Sequence, residues 1–119
     1  MPIPSVLIVD SSDDNREVLR TVLSRRGMRT IEADQAERGL ELARIHRPDV
    51  IVLDVDEDQL GGEQISDRFA DEASDEHSQL IVVGRFRREK ASRGGRMVSK
   101  PYHFGPLVHT IEQLAAKAA

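Results

Sequence analysis

Two carboxylates and one ammonium group stand where buried strands are expected to end. Asp10 and Asp54 each follow a short apolar run, and Lys100 follows a third, thinner one. In open parallel sheets, chemistry is placed at the carboxyl ends of the strands. These residues therefore predict an acidic site at that edge of the sheet, with Asp54 at its centre and Lys100 in reach.

The apolar runs themselves indicate strands. Val50–Leu53 is four apolar residues long, follows Pro48 and ends on Asp54. A run this short and this apolar is typical of a strand buried on both faces of a parallel sheet. Comparable runs predict four further strands, at Ser5 to Asp10, Met28 to Ala33, Leu80 to Val83 and Arg96 to Ser99.

Helices are predicted between these strands. Ser12 is an N-cap candidate for the first helix, and Gly27 is expected to end it in the left-handed conformation. Asp34 with Glu37 resembles a capping box for the second helix. Apolar stripes predict two more, one carrying Ile65, Phe69 and Ala73 and one carrying Leu107, Val108, Ile111, Leu114 and Ala115.

Strands alternating with helices predict an α/β protein. The expected architecture has three layers around a flavodoxin-like, doubly wound, parallel five-stranded sheet of order 2-1-3-4-5. That order places Asp10 and Asp54 side by side at the carboxyl edge of the sheet, with Lys100 in reach. We expect one domain over residues 1–119, because no linker or internal repeat interrupts the pattern.

Composition excludes several classes of function. The chain has no cysteine, which excludes disulfides and thiolate chemistry, and it has no apolar stretch of about 20 residues that could span a membrane. The N-terminus carries no signal segment, so a cytoplasmic location is expected. The net charge of −4 makes nucleic acid an unlikely partner.

In this order and spacing, five fragments resemble the receiver domain of two-component response regulators. The fragments are Val-Leu-Ile-Val-Asp10, Asn15-Arg16, Pro48-Asp49-Val-Ile-Val-Leu-Asp54, Gly61-Gly62 and Lys100-Pro101-Tyr102. The resemblance covers essentially the whole chain.

The resemblance implies a role for each site residue. Asp54 matches the aspartate that accepts a phosphoryl group from a sensor histidine kinase or phosphotransfer protein, and Lys100 matches the lysine that senses it. Asp10 and Asp54 are expected to bind Mg²⁺, with Asp56 as a partial substitute for a missing acid. The peptide bond to Pro101 is expected to be cis. The implied partners are a downstream protein target and a second copy of the chain in a homodimer.

Departures from the family pattern predict a divergent member. Ser11 replaces a second acid, which predicts a weakened metal site, and Glu57-Asp58 replaces Met-Pro. Gly84 and Met97 stand where the family has a switch hydroxyl and a switch aromatic. The stretch from Gly84 to Lys100 is short, so a reduced fourth helix is expected. The alternative function is a pseudo-receiver, a protein-binding module that is not phosphorylated.

Other patterns compete less well. Asp54-Val55-Asp56 resembles the nucleophile motif of haloacid-dehalogenase-type phosphatases, but that motif lies on the first strand and needs an acidic pair beyond the lysine. A calcium loop beginning at Asp54 fails at Gln59 and Ile65. The basic run from Arg85 to Arg96 is interpreted as a solvated loop, with pairing to the acidic stretch 54–76 left open. The four histidines are predicted to be surface residues.

Overall fold

The computed structural model describes residues 3–86 and 95–118. Its five strands form one parallel sheet in the order β2-β1-β3-β4-β5, which confirms the predicted topology. The strands are β1 (Ser5–Val9), β2 (Arg29–Ala33), β3 (Val50–Asp54), β4 (Gln79–Gly84) and β5 (Gly95–Ser99).

Four helices lie in the described residues: α1 (Asp13–Arg25), α2 (Ala36–His46), α3 (Gly62–Glu76) and α4 (Phe104–Ala118). Ser12 is the N-cap of α1 as predicted, because its side chain accepts a hydrogen bond from the Asn15 N–H. Gly27 follows that helix with φ +84°. The predicted capping box is wrong, since Gln35 is the N-cap of α2 and makes no side-chain cap.

Both faces of the sheet are buried at its centre, which explains why β1, β3 and β4 are apolar at successive positions. On one face, Val6, Ile8, Val50, Val52, Ile81 and Val83 pack with residues of α1 and α4. On the other face, Leu7, Val9, Ile51, Leu53, Leu80 and Val82 pack with residues of α2 and α3. Alternate residues of one strand thus serve two separate cores.

Ion pairs join α2 to α3 on the outside of the molecule. Glu72 and Glu76 near the end of α3 pair with Arg44 and Arg47. The start of α2 is held by Arg68, whose guanidinium donates to both oxygens of Glu37. Part of the acidic stretch 54–76 is therefore matched by basic residues of α2 and its C-cap.

The prediction of a reduced helix between β4 and β5 concerns residues 87–94, which lie outside the described residues. The four histidines are exposed, as predicted. Within residues 3–86 and 95–118, no helix is long and apolar enough to cross a membrane.

Candidate functional site

Three of the predicted site residues meet at the carboxyl edge of the sheet. Asp54 is the last residue of β3, while Asp10 and Lys100 come directly after β1 and β5. Because all strands are parallel, their carboxyl ends share one edge. The sheet order puts β1 and β3 side by side, and β5 is separated from β3 only by β4.

Lys100 reaches across β4 to two carboxylates. Its Nζ lies 2.7 Å from Asp54 Oδ1 and 3.3 Å from Asp56 Oδ1. The Asp54 and Lys100 side chains are 14% and 23% exposed, so this pair is shielded from water but can still be approached. The lysine backbone is fixed by a 2.9 Å hydrogen bond from its N–H to the Gly84 carbonyl, and the Lys100–Pro101 peptide bond is cis.

Asp10 is buried and oriented by the start of α1. Its Oδ1 accepts from the Ser12 N–H at 2.9 Å, and its Oδ2 accepts from Asn15 Nδ2 at 3.4 Å. The carbonyl oxygen of Asp10 accepts from the Arg16 guanidinium at 2.6 Å. The helix N-terminus also favours a negative charge there. Asp10 is thus a fixed carboxylate rather than a mobile one.

The acids and the lysine perturb one another. Burial raises the pKa of Asp54, the hydrogen bond from Lys100 opposes that shift, and the negative charges of Asp10 and Asp56 add to it. For Lys100, burial alone would lower the pKa, but the hydrogen bonds and charges of Asp54 and Asp56 raise it overall. The charged form of Lys100 is thereby favoured, and its charge offsets part of the rise in the pKa of Asp54.

The side chain of Asp56 faces β4 and Lys100. Its Oδ1 accepts a hydrogen bond from the Arg85 N–H at 3.0 Å in addition to the contact with Lys100. Its backbone carbonyl accepts from the Gln59 N–H at 3.0 Å and lies against Gly62 at the start of α3. The side-chain carboxylate and the backbone carbonyl of Asp56 therefore both have hydrogen-bond partners within the protein.

These positions bear on the expected Mg²⁺ site. A hard divalent cation needs several oxygen ligands around one point. Asp10 and Asp54 are close enough for the charge of Asp10 to raise the pKa of Asp54. However, Asp56 is directed to Lys100 and Arg85, and no group of three acidic or histidine side chains in residues 3–86 and 95–118 could hold a metal ion. Of the three predicted ligands, Asp56 is therefore engaged elsewhere in this arrangement, and Asp10 and Asp54 are the two that remain for a cation.

Gly84, at the predicted switch position, touches the loop that follows β3. A Cβ atom placed on Gly84 would lie 1.9 Å from the carbonyl oxygen of Val55, a separation that real atoms do not reach. The Val55 backbone is fixed there because its N–H donates to Val83 at 2.9 Å. The backbone of this loop thus fills the space that a hydroxyl side chain would need. Met97, the second predicted switch position, is half-buried on β5 opposite Val82.

Sequence reasoning gave no role to two residues that border the site. Arg16 holds the Asp10 carbonyl and also pairs with Asp13 and Glu32. Burial raises the pKa of Tyr102, and the nearby charges of Asp10 and Asp54 add to the shift. The Tyr102 ring packs edge-on against Phe104, with ring centroids 5.4 Å apart. In the sequence, the position of Tyr102 directly after Lys100-Pro101 is the feature that could have indicated its place beside the site.

Comparisons with known proteins agree with this fold. A model of the response regulator receiver domain matches residues 6–112. The chain is 28% identical to the polar-differentiation response regulator DivK of Brucella anthropi, in an alignment that covers 96% of this chain and 98% of that protein. Among solved structures, the N-terminal domain of an uncharacterised Wolinella succinogenes protein is 31% identical, with a TM-score of 0.74 and 93% of each chain covered.

A further solved structure, the receiver domain of a Francisella response regulator, has a TM-score of 0.81 at 19% identity and covers 98% of this chain and 99% of its own. At that identity the likeness concerns the fold alone. The family match, in contrast, spans most of the chain, and the chain belongs to the response regulator receiver domain family. It is a receiver module of two-component signalling.

Proposed function

We propose that this receiver domain accepts a phosphoryl group on Asp54 from the phosphohistidine of a sensor kinase or phosphotransfer protein. The observation that carries the proposal is the contact of 2.7 Å between Lys100 Nζ and Asp54 Oδ1, residues that are 46 positions apart. A half-buried carboxylate paired with a single ammonium group, at the open edge of a parallel sheet, is suited to receive a phosphoryl group and to stabilise its charge.

The chemical step uses the chain's own groups. Asp54 attacks phosphorus through the oxygen that does not hold Lys100. The new O–P bond forms as the N–P bond to the donor imidazole breaks, and the imidazole leaves as a neutral group after taking a proton from water. Lys100 then donates to the phosphoryl oxygens in charge-assisted hydrogen bonds. The signal passes onward through protein–protein contacts, and the chemistry of the domain is limited to its own aspartate.

Cation dependence is a separate part of the proposal. Ser11 offers no charge where an acid would complete the cluster, so we expect Mg²⁺ to bind weakly. Replacing Ser11→Asp adds a carboxylate beside Asp10 and should tighten Mg²⁺ binding by roughly 5- to 150-fold, the effect of about 1–3 kcal/mol for a charged contact. Calorimetric titration measures this. Equal affinities for the two proteins would contradict the role given to Ser11.

Phosphoryl acceptance can be tested by intact mass. The protein is incubated with acetyl phosphate or phosphoramidate over a range of Mg²⁺ concentrations. We expect the mass gain of one phosphoryl group in the natural protein and in Asp34→Asn, a control that removes an exposed carboxylate outside the site. Asp54→Asn should show no gain.

A gain that persists in Asp54→Asn would place the modification elsewhere. No gain with either small donor, or with a phosphorylated histidine protein, would favour the pseudo-receiver instead. The same samples, analysed by light scattering before and after phosphorylation, would show whether a homodimer forms.

A further inference from the structure

The backbone of Arg85, where the chain leaves β4, is held on both sides by the loop that follows β3. The Arg85 N–H donates to Asp56 Oδ1 at 3.0 Å, and the Arg85 carbonyl accepts from the Asp58 N–H at 3.1 Å. Directly after β3, the Val55 N–H also donates to the Val83 carbonyl of β4. The loop therefore continues the pairing of β3 with β4 beyond the ends of both strands.

The Asp56 carboxylate connects this pairing to the reactive centre. The same Oδ1 that accepts from Arg85 lies 3.3 Å from Lys100 Nζ, which in turn lies 2.7 Å from Asp54. Asp56 is only 24% exposed, so water screens these contacts incompletely. A continuous chain of polar contacts runs from the Asp54 carboxylate through Lys100 and Asp56 to a backbone N–H.

A second conceivable route for a signal from Asp54, the movement of a hydroxyl side chain at position 84, is blocked by a steric clash. Any side chain at position 84 would collide with the Val55 carbonyl, so no hydroxyl group can move toward Asp54 from that position while the loop lies where it does. A signal that starts at Asp54 must leave through a different contact. The Asp56 carboxylate contacts both the Lys100 ammonium and the Arg85 N–H at the exit from β4.

We propose that Asp56 is the positioning residue that transmits the state of Asp54 to the backbone at Arg85. We name the three groups involved, the Lys100 ammonium, the Asp56 carboxylate and the Arg85 N–H, the Asp56 latch. This proposal rests on the proposed phosphorylation of Asp54 for its physiological trigger, but the latch exists without it.

The change of state follows from the charges. A phosphoryl group on Asp54 carries close to two negative charges and draws the Lys100 ammonium to itself. Asp56 then loses its counter-charge and faces an anion of the same sign, so its carboxylate turns away. The Arg85 N–H is left without its acceptor, and the latch is open. Closed and open are two discrete arrangements, as coupling between sites requires.

The first arm of the test needs no phosphorylation. Lys100→Met removes the cation and leaves Asp54 and Asp56 unshielded from each other. We expect hydrogen exchange of the Arg85 N–H to become about tenfold faster, the effect of losing one hydrogen bond to a charged acceptor. In an Asp56→Ala background, where the latch is already open, the same substitution should change the exchange rate little. Unchanged exchange in Lys100→Met alone would overturn the proposal.

The second arm uses protein whose phosphorylation has been verified by intact mass. We expect the Arg85 amide resonance to shift in the natural protein and in Glu57→Gln, a control that removes an equal charge one residue away. Asp56→Asn keeps an oxygen for the Arg85 N–H but has no charge to be repelled, so its shift should be at most a third as large. An equal shift in Asp56→Asn would overturn the proposal.

Failure of the two proposals can be told apart. If the mass shows that no phosphoryl group is taken up, the proposed function fails, and the latch is judged on the Lys100→Met arm alone. If the group is taken up and Arg85 responds equally with and without the Asp56 charge, the latch fails and the proposed function stands.

Discussion

Asp54 shares its surroundings with two further carboxylates and one ammonium group, and this makes its ionisation costly in the folded protein. Burial is the larger reason that its pKa is raised, and the charges of Asp10 and Asp56 add to it. A carboxyl group with a raised pKa stabilises the fold at pH values below its unfolded pKa, and this stability is lost as the pH rises through the folded pKa. Once ionised, Asp54 therefore works against folding.

We accordingly expect Asp54→Asn to raise the free energy of unfolding at neutral pH. The gain should shrink as the pH falls through the range in which Asp54 becomes protonated, because the natural side chain is then neutral as well. Urea unfolding at a series of pH values measures this difference. A gain that is independent of pH would show that the charge of Asp54 is not its cause.

The close contact at Gly84 predicts how a substitution there changes the stability of the protein. Gly84→Ala should destabilise the protein by roughly 1–3 kcal/mol, since the added Cβ would have to displace the backbone of the loop at Val55. Gly105→Ala is a matched control in α4, where an added Cβ meets no atom within 4 Å. There we expect either no change or a gain of up to about 1 kcal/mol from helix propensity. Equal losses at the two positions in urea unfolding would contradict the steric argument.

The sequence allowed Asp54, Asp10 and Lys100 to be placed together because their placement depends only on strand ends and strand order. It could not give the direction of Asp56, which depends on one side-chain torsion and on competition among Lys100, the Arg85 N–H and a cation for one carboxylate. The sequence could not show the close contact between Gly84 and the Val55 carbonyl either. A glycine in a strand is a sign of close backbone approach, but the approaching atom belongs to a loop of irregular path.

At the level of elements, the start of α1 both begins a helix and builds the site. Ser12 caps the helix through its side chain, while its backbone N–H holds the Asp10 carboxylate. Ser12→Ala should cost about 1 kcal/mol of stability, because one N-terminal N–H group loses its acceptor. The neighbouring Ser11→Ala removes an exposed hydroxyl and should change stability little.

Thermal unfolding of the two variants measures the difference. Since the backbone N–H of Ser12 is unaffected by the substitution, the proposed phosphorylation of Asp54 should be unchanged in both. A Ser12→Ala protein as stable as Ser11→Ala would show that the cap contributes nothing.

The strands were predictable to within about one residue at each end, because two buried faces demand successive apolar residues in the central strands β1, β3 and β4. Local capping was less predictable. Asp34 and Glu37 have the spacing of a capping box, yet α2 begins after Gln35 and Glu37 instead pairs with Arg68 of α3. The ion pair of Glu37 with Arg68 in α3 thus formed in place of a local cap at the start of α2. A contact between two helices cannot be predicted from the sequence around one of them.

For the whole molecule, the question is which surface would respond to the proposed phosphorylation of Asp54. Met97 is unbranched and adaptable, so it can adjust to either state without a discrete rotation. We expect small amide shifts around Met97 and along α4 compared with those at Asp54 and Arg85. An assigned amide spectrum before and after addition of an acyl-phosphate mimic decides this. Large perturbations over α4 would show that signalling through β5 survives.

The close contact between Gly84 and the Val55 carbonyl has a consequence for the engineering of this domain. The loop after β3 and the residue that ends β4 are coupled, because a side chain at position 84 would have to displace the backbone of the loop. A chimera that takes one of these two segments from another receiver should therefore be less stable than a chimera that takes both together.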